Sequence, residues 1–203
     1  GKFCYQLFSS EKDKRGQWNM AQPLPYPVSQ GCENCPRIMS DNETLIFAAI
    51  REPSDNYDIY QSRNLGGGKW SNPVAYDFIN TPSDDKYGTI PSSGDIMYLN
   101  RDFGNGHDIY SIPIPLELRP RKVVNIQGVL KDCSTGKPIE ARIAIFENGK
   151  SMGTSGLKSN AFDGNFTVVL KTGASYEIKI APRGYVPYSV VYDLTETREY
   201  GLI

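Results

Sequence analysis

Two cysteines three positions apart, in Cys32-Glu33-Asn34-Cys35, are the residues best spaced for chemistry in this chain. A C-x-x-C does redox work when its first thiol opens a helix in a βαβ unit, which lowers the thiol pKa. No such unit is legible here. A structural zinc site needs four ligands, and the other cysteines, Cys4 and Cys133, are distant in sequence. Three readings stay open: a local Cys32–Cys35 disulfide bracing the turn before Pro36 in an oxidising compartment, free thiols, or metal and redox use. Cys133, in the polar turn Asp132-Cys133-Ser134-Thr135-Gly136, reads as an exposed thiol or as a partner for Cys4.

Other runs mimic active-site motifs without their context. Gly149-Lys150-Ser151-Met152-Gly153 has the G-x-S-x-G spacing. That motif works on a strained strand-to-helix turn with a histidine further along the chain. The sole histidine, His107, lies upstream, so a plain β-turn is expected. Gly66-Gly67-Gly68-Lys69 is followed by Trp70 where a phosphate loop requires Ser or Thr. Asp102-Phe103-Gly104-Asn105-Gly106-His107-Asp108 has oxygen-bearing side chains spaced as in a calcium loop, but lacks the closing acid of an EF-hand. The expectation is a chain with no catalytic, cofactor-binding or metal-binding residue.

The elements that would position any such residue repeat. Phe3-Cys4-Tyr5-Gln6-Leu7-Phe8-Ser9-Ser10 followed by Trp18 recurs as Asn56-Tyr57-Asp58-Ile59-Tyr60-Gln61-Ser62 followed by Trp70, 52 residues on. Ile38-Met39-Ser40 and Leu45-Ile46-Phe47 match Ile90-Pro91-Ser92 and Met97-Tyr98-Leu99 at the same spacing. A third copy starts at His107-Asp108-Ile109-Tyr110-Ser111, 50 residues after Tyr57. A fixed period filled with short alternating apolar runs marks stacked β units, most often propeller blades. In the second unit four strands are predicted, near 36–40, 44–50, 57–62 and 70–78. Trp18 and Trp70 read as core packing between units. The matching positions Asp58 and Asp108 suggest a structural hydrogen bond, and Tyr60 and Tyr110 fill equivalent places.

Composition agrees with an all-β chain. Aromatic residues make up 11% of it, including 13 Tyr, and these suit a pleated surface. With 22 Lys+Arg against 23 Asp+Glu, the net charge of −1 leaves no cationic excess to release counterions from nucleic acid. No apolar run approaches the eighteen or so residues of a membrane span. The chain opens at Gly1-Lys2-Phe3, and about two blades do not close a ring. A piece of a longer protein is therefore expected.

Residues 1–115 read as the propeller part and 116–121, with its prolines, as a stiff linker. From 122 to 194 come short strands near 123–130, 140–147, 150–159, 166–170, 176–181 and 189–194, with Asp163-Gly164 as a hairpin turn. These suggest a small β-sandwich. Residues 195–203 form a tail without pattern.

Asp41-Asn42-Glu43-Thr44-Leu45-Ile46-Phe47-Ala48, then Tyr57-Asp58-Ile59-Tyr60 and Trp70-Ser71-Asn72-Pro73-Val74, resemble the PD40, TolB-like propeller blade, with Asn42 where that family usually has Gly. Gly128-Val129-Leu130-Lys131-Asp132, Thr135-Gly136-Lys137-Pro138-Ile139, Asp163-Gly164-Asn165-Phe166 and Ala181-Pro182-Arg183-Gly184-Tyr185 resemble the carboxypeptidase regulatory-like, transthyretin-like sandwich. The order of the two is similar to that in OmpA-family periplasmic lipoproteins of bacteria with type IX secretion. The resemblance implies a non-enzymatic scaffold in the periplasm, associated with the outer membrane, whose partners are envelope proteins of the secretion machinery. Peptidoglycan would be bound only by an OmpA-like domain not found in these residues. An accessory region of a peptidase and a glycan-binding module are the alternatives.

Overall fold

The computed structural model describes residues 4–13, 15–102, 106–153, 156–197 and 201–202. Apart from one 3₁₀ turn at Leu116–Leu118, the described elements are all β strands, and no sheet closes into a barrel. None of the described helices is long and apolar enough to cross a membrane. Residues 1–11 and 19–121 form one compact unit, and 12–18 and 122–203 another.

The first unit contains β1 (Phe8–Ser9), β2 (Gln22–Pro23), β3 (Glu33–Ile38), β4 (Thr44–Ile50), β5 (Tyr57–Gly66), β6 (Lys69–Trp70), β7 (Val74–Ala75), β8 (Ile96–Asp102) and β9 (His107–Pro113). The strand expected at 44–50 is β4. The one expected at 70–78 breaks into β6 and β7 around Pro73, which has no N–H for a ladder. The strands β3, β4 and β5 form an antiparallel meander, with β6 and β7 both on the far edge of β5.

The sequence period is a pairing period. Tyr60 faces Ala75 and Gln61 faces Val74; 52 residues earlier, Phe8 faces Pro23 and Ser9 faces Gln22. Asn64 opposite Trp70 repeats the Lys12–Trp18 bridge, and Arg37 opposite Ile46 reappears as the Thr89–Tyr98 bridge. Phe47 faces Tyr60 as Leu99 faces Tyr110. The shift from 52 to 50 is taken up in the connection after the second strand, leaving the register intact. A one-residue slip would send every side chain to the wrong face.

Burial explains why register is held so closely. The sequence Thr-Leu-Ile-Phe-Ala-Ala-Ile of β4 is apolar without alternation because both its faces are covered. Leu45, Phe47 and Ala49 pack with Leu7 and Val28 of the preceding repeat. Ile46, on the other face, joins Met39, Ile59 and Tyr76 against Ile90, Met97 and Leu99 of the following repeat. Each core thus lies between neighbours, as stacked repeats require. The Ser40 and Ser92 hydroxyls, 52 residues apart, meet at 2.9 Å.

One equivalence fails informatively. Ile59 is 3% exposed and Ile109, its counterpart on β9, is 77% exposed. Tyr76 and Ile79 pack in the core that covers Ile59, and after β9 the chain turns away into the 3₁₀ turn. Ile59→Ala should therefore cost about 2–4 kcal/mol of stability, and Ile109→Ala less than about 0.5 kcal/mol. Urea melts of the two variants check this; equal losses would count against it.

Residues 116–121, expected as a stiff linker, have their backbone tied into the first unit. Arg63 donates to the Arg119 carbonyl at 3.0 Å and the Arg121 N–H to Asp41 Oδ2 at 3.0 Å. The second unit holds β10 (Val123–Val129), β11 (Ile143–Glu147), β12 (Lys150–Ser151), β13 (Asn165–Lys171), β14 (Ser175–Ile180), β15 (Tyr188–Asp193) and β16 (Gly201–Leu202). They form sheets ordered β13-β10-β16 and β12-β11-β14-β15. Val124, Ile126 and Val168 from the first share one core with Ile143, Tyr176 and Ile178 from the second. The patternless tail supplies β16, which pairs parallel to β10 through Val124–Gly201 and Asn125–Leu202. Asp163-Gly164 ends a turn but makes no hairpin, since β13 pairs with the distant β10.

Candidate functional site

A cleft of about 550 Å³ opens in the first unit, built from equivalent positions of successive repeats. Tyr5 and Tyr57 line it, as do Asn34 and Lys86, and Cys35 and Tyr87, each pair 52 residues apart; Asp84 completes the wall.

Local backbone sets these side chains. The Glu33 N–H donates to the Tyr5 carbonyl at 3.0 Å, and the Asp85 N–H donates to the Tyr57 carbonyl at 2.6 Å, one contact seen twice. The β3–β4 register then shifts between Asn34 and Arg37. Cys35 lies in this bulge with φ 51°, and Tyr87 repeats the left-handed conformation with φ 63°. Left-handed backbone is unfavourable for residues with a Cβ, and a bulge re-aims the side chain it carries.

The charges in the cleft are paired. Lys86 Nζ lies 3.1 Å from Asp84 Oδ2 and 4.1 Å from the centre of the Tyr57 ring. The Tyr57 N–H donates to Asp84 Oδ1 at 3.0 Å. Burial pushes the Tyr57 hydroxyl pKa up, with Lys86 opposing the shift. Of the lining tyrosines, Tyr5 and Tyr87 are 57% and 64% exposed, whereas Tyr57 is buried. Asn34 Oδ1 is buried with no hydrogen-bond partner among the described residues.

Next in sequence to the lining residues Asn34 and Lys86 stand the acids of a repeated device, a buried acid paired with an arginine. Glu33 is 1% exposed. It accepts from the Gln30 N–H at 2.6 Å and the Gly31 N–H at 3.1 Å, and Arg51 Nη2 lies 3.6 Å from it. Arg51 also donates to the Val28 carbonyl at 2.7 Å and lies over the Phe47 and Tyr60 rings. Burial draws the Arg51 pKa down and Glu33 partly restores it. In the next repeat Asp85 accepts from the Thr81 N–H and hydroxyl and pairs with Arg101, which also donates to the Ile79 carbonyl. Each acid caps the turn that leads from one repeat into the next.

The Cys32–Cys35 disulfide, one of the readings left open, does not form: Cys4 bonds to Cys32 across 28 residues, and Cys35 is a free thiol lining the cleft. The backbone contact between Tyr5 and Glu33 brings the cysteines preceding them together, which local spacing could not reveal. Cys133 is free and exposed. Trp70 packs partly buried against Leu7, Phe47 and their neighbours. Trp18 does not pack: it is 69% exposed, with Lys12 Nζ 5.1 Å from its ring. Among the described residues no second strand of its repeat lies beneath it.

The remaining repeat positions also separate. Asp58 is half-buried, its pKa raised mainly by burial and lowered in part by a hydrogen bond from Ser54. Asp108 is exposed on β9, so the two positions differ in burial. Tyr60 stacks on Phe47 at 6.2 Å, and Tyr110 packs against the next core. Ser151 lies in the antiparallel β11–β12 pair, where its hydroxyl accepts from the Gly153 N–H at 3.2 Å. Of the suspected calcium run, residues 103–105 lie outside the described residues. Among those described, no three metal-ligating side chains converge.

Comparison with protein-family models, with curated proteins and with solved structures finds no match to this chain.

Proposed function

We propose that this chain is a non-enzymatic docking scaffold, made of consecutive blades of a PD40-like β-propeller followed by a transthyretin-like sandwich. The observation that carries the reading is the recurrence of strand pairing at 52 residues, with cores buried between repeats. A meander whose faces are covered by its neighbours is a blade in miniature. The Cys4–Cys32 bond favours an oxidising compartment. On this reading the protein works in the periplasm beside the outer membrane, within an envelope assembly related to type IX secretion. Its partners are envelope proteins.

Cell fractionation with photo-crosslinkers at Tyr26 and Val186, both exposed, tests this. Recovery with the outer membrane and cross-links to secretion-machinery proteins are expected. Recovery in the cytoplasm, or a peptidase domain in the same polypeptide, would overturn it.

A further inference from the structure

We propose that the cleft between Tyr5, Tyr57 and Tyr87 binds an uncharged oligosaccharide, a ligand beyond the protein partners of the docking reading. Its volume of about 550 Å³ lies within the roughly 300–1,000 Å³ of small-ligand sites. Tyr5 and Tyr87, which line it, each leave more than half of their surface in solvent. An exposed aromatic ring offers an apolar face with a polar tip, which matches the C–H face and hydroxyl rim of a sugar ring.

The electrostatics select against a charged ligand. Lys86 is held by Asp84 at 3.1 Å and by the Tyr57 ring at 4.1 Å. An incoming anion or cation meets a pair whose opposite charges already offset each other, which leaves little net field to attract it. Hydroxyl groups, which both donate and accept, can bond to its two ends while leaving it in place.

Asn34 points the same way. Its buried Oδ1 has no partner among the described residues, and an unmet buried acceptor is costly until a donor arrives. Rotation of the Asn34 amide toward the cleft it lines would present that oxygen to a ligand hydroxyl. The repeat pattern also separates frame from contents. The frame positions keep their chemistry, Ser29 with Thr81 and Glu33 with Asp85, whereas the lining positions change from Asn34 to Lys86 and from Cys35 to Tyr87. Two left-handed residues are retained at that variable lining, and strain of this kind clusters at binding sites.

The test is a panel of neutral di- to tetrasaccharides of hexose and N-acetylhexosamine, titrated into the full chain and followed by NMR. At least one member should shift resonances of residues at the cleft. Tyr87→Ala and Tyr5→Ala, both at exposed positions, should each weaken its binding by about tenfold, and Tyr87→Phe should restore most of it. Phe162→Ala, at a 93% exposed aromatic of the other unit, should change nothing. The proposal is overturned if no sugar binds, if binding survives the Tyr5→Ala/Tyr87→Ala double variant, or if an extended peptide occupies the cleft in preference. A failure here leaves the docking reading standing, since that reading is judged by fractionation and cross-linking alone.

Discussion

Replacing Arg51 by methionine should destabilise the first unit by about 3–5 kcal/mol, because removing one partner of a buried ion pair leaves the other charge uncompensated. Methionine keeps an unbranched apolar stem but loses the guanidinium, which lies 5.7 and 5.5 Å from the Phe47 and Tyr60 ring centres. The cation–π contacts and the bond to the Val28 carbonyl go with it, but the largest single part of the loss should trace to the stranded carboxylate of Glu33, 1% exposed. The N–H groups of Gln30 and Gly31 still donate to it, which holds the cost toward the lower end. Adding Glu33→Gln removes the unpaired charge, so the double variant should be more stable than the sum of the single losses. Denaturant midpoints of the four proteins close the cycle. Strict additivity would show that the pair is not coupled.

A second large effect is expected in the other unit. Gly164 has φ 80°, and a Cβ built there would stand 2.2 Å from the Leu130 carbonyl oxygen and 3.1 Å from its carbon. Neither atom belongs to a flexible side chain, so backbone must move. Movement would break the bond from the Leu130 N–H to the Gly164 carbonyl, 2.9 Å long, at the head of the β10–β13 pair. The left-handed backbone alone costs roughly 1–3 kcal/mol for a residue with a Cβ. With the lost bond and the displacement, Gly164→Ala should cost about 3–5 kcal/mol. Gly136→Ala, at φ 69° with open space around it, isolates the backbone part and should cost about 1–2 kcal/mol. Thermal unfolding compares the two; equal shifts in Tm would rule out a clash at Gly164.

Much of the repeat was legible because strand patterning and the 52-residue spacing are both written in residue type. The β4 bounds of 44–50 follow from an apolar run closed by turn formers. What escaped depended on partners far along the chain. Cys32 had a cysteine three residues away and bonded instead to one 28 residues away, because the Tyr5–Glu33 contact sets that geometry. Trp18 and Trp70 share a repeat position, yet only Trp70 has β4 beside it. The two-residue β16 is too short to carry a pattern of its own.

The candidate cleft was only partly legible. Tyr5 and Tyr57 stood out as a recurring tyrosine, but Asn34 with Lys86 and Cys35 with Tyr87 share position without sharing chemistry. The buried acids were within reach of sequence. Ser29 and Glu33 recur as Thr81 and Asp85 at the repeat spacing, a like-for-like exchange that identity matching passes over.

The meeting of Ser40 with Ser92 bears on how such a chain could grow. A segment that packs against its neighbours through equivalent positions every 52 residues finds a fitting neighbour in its own duplicate. Tandem copying of a gene in whole multiples of that length would add another module with its seams already matched. A partial copy would leave two mismatched halves facing each other, and selection would meet it as a misfolded product.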